Sequence, residues 1–337
     1  MTEQPRVAII LLNFNGREDL QRYLPSVLDL EYPNYETIVV DNNSSDGSVE
    51  FLQSEFPEVD VIVNDENVGF SRGNNIGADV ATDADYLWFM NTDVKVEPES
   101  LSLLIDHIEN SDQTGAVVPR INFMSEPEMI QSVGYDLEPQ WIPKGHDTGR
   151  YKPSKEEPYP VTYGSGAALL IDRDVWEETG GFDDNNFIFG DDIYLSFLVW
   201  IYGYRVEAVP ESVVYHEENT QREKIPLTVA FHYGRSQMRA LLKLMQIRSL
   251  AIGLPGFLMH GFYLMIGDIV LRNSAKKALY RFLGYLSPVL ELGSLYRERR
   301  EIQRQRVRDD DFLATGQLST LLNMFDFRNR HPSPSDE

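Results

Sequence analysis

A run of large apolar residues that ends abruptly in hard oxygen ligands constrains this chain most. The segment Tyr86–Met90 reads Tyr-Leu-Trp-Phe-Met, and Asn91 and Asp93 follow it directly. Five bulky apolar residues in a row predict a strand that is buried on both faces, as in a helix-covered parallel sheet. In an open α/β sheet, ligands bind just beyond the carboxyl ends of the strands. A carboxylate there suits Mg²⁺ or Mn²⁺ shared with a diphosphate, although Asx residues are also common in plain turns.

Three earlier apolar runs end in a comparable way. They are Val7–Leu12, Thr37–Val40 and Val59–Val63, and each is followed by a cluster rich in Asn, Asp, Ser and Gly. The intervening segments Glu18–Leu30, Ser48–Phe56 and Gly73–Ala81 are compatible with helices. This alternation predicts parallel βαβ units whose four polar strand ends gather along one rim. No G-x-G-x-x-G turn follows the first strand, so a nucleotide at that rim would be bound by side chains rather than by a glycine cradle.

The ordered set of motifs resembles the family 2 glycosyltransferases, in particular their rhamnosyltransferase-like branch. The residues that carry the resemblance are Asn13–Gly16, Val40–Ser48, Asn67–Gly77 and Asn91–Asp93 in the nucleotide-sugar half, and Gly180–Asp183 with Phe187–Asp192 in the acceptor half. The resemblance covers about residues 5–220. It implies the α/β GT-A fold of nucleotide-diphospho-sugar transferases, with a mostly parallel central sheet.

The resemblance assigns several residues to the nucleotide-sugar pocket, namely Asn13, Asn15, Asp41, Arg72, Asn75 and Asn91. Asp41 would accept a hydrogen bond from the base, with Asn13 and Asn15 in the same pocket. Arg72 and Asn75 would lie along the nucleotide and its diphosphate. Asn91 stands near the ribose, where many relatives carry the first Asp of a D-x-D motif. The alternative for residues 41–46 is a polar turn that caps the following helix.

The second cluster implied by the resemblance contains the catalytic base, Asp192, and its neighbour Asp191. Asp93 and His216 would hold Mn²⁺ or Mg²⁺. One carboxylate that takes the acceptor proton suffices, because the metal neutralises the diphosphate leaving group; this favours an inverting, single-displacement transfer. Asp191 would orient Asp192 or raise its pKa through proximity of like charge. The alternatives are a helix N-cap with a dipole-favoured acid for the Asp pair and a structural histidine at a strand end for His216.

Charge and composition exclude some classes of protein and suggest a setting for this one. The chain has no cysteine, which excludes disulfides, a thiol nucleophile and a zinc–thiolate site. Residues 1–220 carry 12 Lys and Arg against 42 Asp and Glu, so we expect no nucleic-acid partner. Only 8 of the 30 basic residues are Lys, which favours a salt-adapted organism over a merely acidic protein. The first strand begins without a secretory signal, so a cytoplasmic catalytic half is expected.

The region from 221 to 308 differs in charge and in apolarity from the rest. It holds 16 basic against 5 acidic residues, and it contains the apolar run Ser249–Leu271. The run has the length of a membrane span, but Pro255, His260 and Asp268 interrupt it, so an interfacial element fits equally well. A soluble helical subdomain is the alternative. We therefore predict a catalytic domain over 1–220 (nucleotide half 1–95, acceptor half 96–220), a membrane-associated helical region over 221–308, and an acidic, partly disordered tail over 309–337.

Together these features predict a metal-dependent glycosyltransferase of the hexosyltransferase type at the cytoplasmic face of the cell membrane. Its donor would be a nucleotide-diphosphate sugar, and its acceptor a lipid-linked glycan of the polyprenyl or dolichyl phosphate type, in surface or protein glycan assembly. A sugar-nucleotide nucleotidyltransferase is one alternative, although it should carry a basic, glycine-rich loop after the first strand. A catalytically silent membrane scaffold is the other. Three departures from the family pattern leave room for it: Asn91, and also Tyr194 and Leu198, which stand where relatives often carry Leu and Arg.

Overall fold

The first half of the chain alternates strands and helices, as the apolar runs predict. The computed structural model describes residues 4–137, 143–217 and 227–312. The elements are β1 Val7–Asn13, α1 Arg17–Leu28, β2 Tyr35–Asp41, α2 Ser48–Glu55, β3 Asp60–Val63, α3 Phe70–Val80 and β4 Tyr86–Asn91. The four strands pair in parallel in the order β4-β1-β2-β3. Their carboxyl ends therefore meet at one rim, where Asn13 lies opposite Asp41 and Leu12 opposite Asn91.

The second half extends this sheet with strands of both directions. Its elements are β5 Val94–Val96, α4 Ser100–Glu109, β6 Thr114–Phe123, β7 Ile130–Ser132, β8 Tyr135–Leu137, β9 Pro143–Gly145, β10 Tyr159–Pro160, β11 Ala168–Asp172, α5 Arg173–Thr179, α6 Asp191–Ile201 and β12 Arg205–His216. The order is β10-β12-β6-β11-β4-β1-β2-β3, with β5 on β12 and β7 on β6. β11 runs antiparallel between β6 and β4, whereas β12 and β6 are parallel. The sheet is mixed but mostly parallel.

Helices cover the sheet on both faces, which explains the continuous apolar runs. Trp88 and Phe89 are adjacent in β4 and both fully buried, yet they belong to different clusters. Trp88 packs with residues of α1 and α4, and Phe89 packs with residues of α3, α5 and α6. Since successive side chains of a strand point to opposite faces, a strand covered on both sides must be apolar at every position.

A bundle of helices follows the sheet. It consists of α7 Leu227–Leu244, α8 Ile247–Val270, α9 Ala275–Leu286, a 3₁₀ turn Ser287–Glu291, α10 Leu292–Gln305 and a last 3₁₀ turn Asp310–Phe312. A third apolar cluster joins α6 to α7, α8 and α9. The predicted boundary at residue 220 and the tail from 313 onward lie outside the described residues. The start of the predicted tail packs on α6, because the ring of Phe312 stacks on Trp200 at 5.5 Å.

Candidate active site

Asn13 and Asp41 connect the loops that follow β1 and β2. The Asp41 carboxylate has no exposed surface; it accepts hydrogen bonds from Asn13 Nδ2 at 2.7 Å and from the Ser44 amide at 2.8 Å. The Asn15 side chain accepts from the Ser45 amide at 2.8 Å. These contacts show a structural role that tightens the rim. Both carboxylate oxygens of Asp41 already have partners within the protein. Binding of a nucleotide base by Asp41 stays a prediction.

The two predicted diphosphate residues lie on α3 but differ in their surroundings. Arg72 is exposed in the first turn of α3. The Asn75 amide instead donates to the Phe182 carbonyl at 3.0 Å and to Asp184 Oδ1 at 2.7 Å, and accepts from the Phe182 amide at 3.1 Å. Asn75 therefore ties α3 to the loop that leads to the catalytic carboxylates. This use of Asn75 is not visible in the sequence, and its contact with a diphosphate stays a prediction.

The Asp pair opens helix α6, as its place after Gly190 suggests. Asp191 is 3% exposed, and its carboxylate accepts a hydrogen bond from the Ser71 hydroxyl. Asp192 is half-buried; its carboxylate accepts from the Ile193 amide at 2.8 Å and from the Gly166 amide at 3.4 Å. The N-cap of α6 is Gly190 rather than a residue of the Asp pair, but both acids lie in the first turn, so a favourable interaction with the helix dipole coexists with a position at a cavity.

Burial controls the protonation of both carboxyls. It raises the pKa of Asp191 to about 7, with a further rise from the neighbouring Asp192 charge, while the Ser71 hydrogen bond opposes both. Burial likewise raises the pKa of Asp192, against the hydrogen bonds donated by the Ile193 and Gly166 amides. A raised pKa makes the Asp192 carboxylate a stronger proton acceptor than an exposed Asp, which is the property a general base needs.

A cavity of about 360 Å³ brings together residues that are distant in the chain. Its lining includes Asn91, Asp191, Asp192 and His216, with Phe70, Ser165, Gly166, Ala167, Ile188, Phe189 and Gly190. The backbone that enters α6 is unusual, since Phe189 and Gly190 both have left-handed φ values of 70° and 75°. A bulky residue in that conformation is uncommon and costs free energy, which is typical of functional loops. It places the Phe189 ring at the cavity.

Asp93 and His216 meet because β12 pairs with β5. His216 lies opposite Val94, the residue after Asp93, and the distance from His216 Nε2 to Asp93 Oδ1 is 3.3 Å. His216 Nδ1 lies 3.1 Å from Gln131 Oε1, which can only accept, so Nδ1 carries a proton. In the neutral form of the ring, the Nε2 lone pair then faces Asp93 Oδ1, a buried oxygen without a hydrogen-bond partner.

Two facing acceptors repel unless a proton or a metal cation lies between them. The arrangement therefore fits a divalent metal, and the hydrogen bond to Gln131 matches the way proteins orient metal-binding histidines. Within residues 4–137, 143–217 and 227–312, no group of three or more His, Cys, Asp or Glu residues could hold an ion. Oxygens of a ligand and water would have to complete the shell, as hard cations commonly require.

Sequence reasoning missed some residues that build this site. Gln131 lies in the short strand β7, outside every motif, and Ser71 lies inside a motif but received no role. Glu217 donates its amide to the Asp93 carbonyl at 2.9 Å, and its carboxylate accepts from the Tyr23 hydroxyl. Their contacts join residues that are far apart in the chain. Only Ser71 could have been found from the sequence, because it lies inside a recognised motif.

Comparison with known proteins gives consistent similarities. Residues 8–180 match the family described as glycosyl transferase family 2. The N-acetylglucosaminyl-diphospho-decaprenol L-rhamnosyltransferase of Mycobacterium tuberculosis is 26% identical over 249 residues, which cover 66% of this chain and 80% of that protein. The glucosyl-dolichyl phosphate glucuronosyltransferase of Haloferax volcanii is 30% identical over 196 residues, covering 55% of this chain and 58% of that protein.

Solved structures show the same fold at lower identity. The crystal structure of GalNAc-T7 with UDP, GalNAc and Mn²⁺ superimposes with a TM-score of 0.60 at 20% identity. The match covers 72% of this chain and 48% of that chain. At this identity the likeness concerns the fold alone.

Proposed function

This chain belongs to glycosyl transferase family 2, and from that membership we propose that it transfers one sugar from a nucleotide-diphosphate donor to a lipid-linked glycan acceptor with inversion. The observation that carries the proposal is the cavity that unites Asp192 with His216, beside the Asp93–His216 pair. Base and metal ligands at one cavity are what a displacement of diphosphate by a hydroxyl requires. The donor class follows from the family.

The lipid-linked acceptor has independent support. The similar proteins of Mycobacterium tuberculosis and Haloferax volcanii are named for decaprenol-linked and dolichyl phosphate-linked substrates. In the described part of this chain, one helix, α8, is long enough and apolar enough to cross a membrane, judged by length and composition only. We therefore place the reaction at the cytoplasmic face of the cell membrane, with a polyprenyl or dolichyl phosphate type of acceptor and no nucleic acid. The predicted salt-adapted origin stays a prediction.

The chemistry divides between Asp192 and the Asp93–His216 pair. The acceptor oxygen forms a bond to the anomeric carbon as the bond from that carbon to the diphosphate oxygen breaks, and the hydroxyl proton passes to Asp192. Asp93 and His216 would hold Mn²⁺ or Mg²⁺, which would neutralise charge on the leaving diphosphate. A single base and no second acid give a one-step displacement, hence inversion. The Asp191 carboxyl lies next to Asp192 in the chain, and the Ser71 hydroxyl holds the Asp191 side chain in place.

The activity should depend on pH through Asp192. Because burial raises the pKa of its carboxyl, the base stays protonated to higher pH than an exposed Asp would, and kcat/KM should fall on acidification at a correspondingly higher pH. Burial, and not the Asp191 charge, causes this rise in the pKa of Asp192, so Asp191→Asn should leave the acidic limb of the profile in place. The measurement is kcat/KM against pH for both proteins. An acidic limb near pH 4 in the unmodified enzyme, or one that Asp191→Asn moves strongly, would contradict this account.

A panel of nucleotide sugars tests the function. Purified protein with Mn²⁺ should slowly hydrolyse one donor far faster than the others, because water can replace the acceptor hydroxyl. The nucleotidyltransferase alternative would instead release pyrophosphate from a nucleoside triphosphate and a sugar phosphate. The silent-scaffold alternative would show donor binding without turnover. Either of these two results would replace the proposed function.

A further inference from the structure

Helix α8 has its polar side chains on the inside and its apolar ones on the outside. Asp268 has no exposed surface and His260 is 8% exposed, whereas Phe262 is 61% exposed. The outward positions form one stripe at helical spacing: Ile252, Pro255, Leu258, Met259, Phe262, Ile266, Ile269 and Val270. A helix on a water-facing surface shows the opposite arrangement, with its apolar stripe toward the core. The outer face of α8 is therefore built for an apolar environment.

The inner face of α8 is committed to other helices. Asp268 pairs with Arg281 of α9 at 2.7 Å and with Arg272 at 2.9 Å. At Gly261, an added Cβ would lie 2.7 Å from Cζ of Tyr285, so α8 and α9 are in close contact there. A lone membrane span would be surrounded by lipid on all sides. Because α8 is packed against α9, a spanning α8 would draw α9 and its charged residues into the bilayer. α8 consequently lies alongside the bundle.

The apolar surface continues beyond α8. On α9 and the 3₁₀ turn the outward residues are again large and apolar, and Leu290 is 90% exposed. We name the whole surface the apolar platform; besides the α8 stripe it contains Leu279, Phe282, Leu283, Leu286, Val289, Leu290, Leu292 and Tyr296. Soluble monomers rarely expose so many large apolar side chains on neighbouring helices.

Charge indicates what covers the platform. Exposed Arg248, Arg272 and Lys276 lie at its edges, and residues 221–308 carry 16 basic against 5 acidic residues. Residues 1–220 have the opposite balance, so an anionic layer would attract the bundle and repel the catalytic half. We propose that the apolar platform is buried in a bilayer with anionic headgroups, with α8 lying in the membrane plane rather than crossing it. The idea that the bilayer also holds the acceptor rests on the proposed function, whereas the proposed membrane binding does not.

The platform is also joined to the catalytic loop through α7. The Phe187 ring stacks on His232 of α7 at 4.9 Å, and the Phe189 ring meets Tyr233 edge-on at 6.0 Å. Tyr233 in turn lies 5.9 Å from the Arg281 guanidinium of α9. The loop that enters α6 therefore rests on α7, and α7 in turn contacts α9, one of the helices that carry the platform. An acceptor held in the bilayer would reach Asp192 from this side.

Vesicle binding tests the proposal without sugar donor or acceptor, so its outcome is independent of the proposed transfer reaction. Full-length protein should float with vesicles of phosphatidylcholine and phosphatidylglycerol, and on the order of tenfold less with phosphatidylcholine alone. Phe262→Ser with Ile266→Ser should reduce binding at least about tenfold while donor hydrolysis is unchanged. The matched control, Val63→Ser with Val80→Ser, changes exposed valines of the catalytic half and should bind normally. Absence of vesicle binding, or equal loss in both variants, overturns the proposal.

The orientation of α8 can be measured because the chain contains no cysteine. Single replacements Ile252→Cys, Met259→Cys, Ile266→Cys and Val270→Cys each accept an environment-sensitive fluorophore, whose depth follows from quenching by lipids brominated at known positions. In-plane binding predicts a similar shallow depth for all of them. A deep Met259 label between shallow end labels would establish a span instead. Lipid-independent dimers that Phe262→Ser with Ile266→Ser dissociates, without vesicle binding, would assign the platform to a second copy.

Discussion

Asp192→Asn is expected to lower sugar transfer by on the order of 10²–10⁴-fold while donor binding stays close to normal. The amide keeps the shape of the carboxylate, and its one oxygen can still accept the shorter hydrogen bond, from the Ile193 amide, while the 3.4 Å contact with the Gly166 amide is lost. It cannot take the proton of the acceptor hydroxyl. The measurement is single-turnover transfer, together with calorimetric binding of the nucleoside diphosphate in the presence of Mn²⁺.

Asp191→Asn is the matched control, because Asp191 lies beside Asp192 at the start of α6 and is buried as well. Its side chain is held by Ser71, and an amide oxygen can accept the same hydrogen bond. We expect a much smaller loss at the pH optimum, with the acidic limb of the pH profile left in place. Near-normal transfer by Asp192→Asn, or equal losses in the two variants, would remove Asp192 from the role of base.

Chelation of divalent metal is expected to abolish activity, and Mn²⁺ or Mg²⁺ should restore it. Charge stabilisation by a metal amounts to about 3 kcal/mol or more, which is roughly 10²-fold in rate. Asp93→Ala should weaken binding of a nucleoside diphosphate much more than binding of the nucleoside, because only the diphosphate shares the ion. Titration calorimetry of both ligands with and without Mn²⁺ measures this selectivity.

Gln131→Leu extends the metal prediction to the residue that orients His216. Without the acceptor at 3.1 Å from Nδ1, the imidazole loses its preferred tautomer, and metal affinity should fall by about 10–100-fold. Excess Mn²⁺ should then rescue activity, which a simple folding defect would not allow. Glu18→Gln serves as the control, since this exposed carboxylate lines the adjoining pocket around Asp93. Full activity in chelator would refute the metal role of both Asp93 and His216.

Sequence alone determined the family, the fold class and the strands of the nucleotide half. The runs that begin at Val7, Thr37, Val59 and Tyr86 became four parallel strands, and the predicted GT-A fold and family are confirmed. This worked because a strand covered on both faces needs apolar side chains at every position, and each such run stops where the chain must turn. These are local properties that the sequence displays directly.

Only the tertiary structure decided how the site is assembled. His216 reaches Asp93 through the pairing of β12 with β5, and Gln131 comes from a separate strand, so neither distance follows from spacing in the chain. The same holds for the burial of Asp41 and for the hydrogen bonds that hold Asn75 to the Phe182 loop.

The apolar run Ser249–Leu271 shows the same division. Composition identified a segment long enough to span a bilayer, but it could not separate a span from an interfacial helix. The structure places Asp268 against Arg281 of α9 and turns Phe262 outward. The apolar content of a segment can be read directly from the sequence. The direction in which each side chain faces depends on packing against residues that are distant in the chain and come near only in the folded protein.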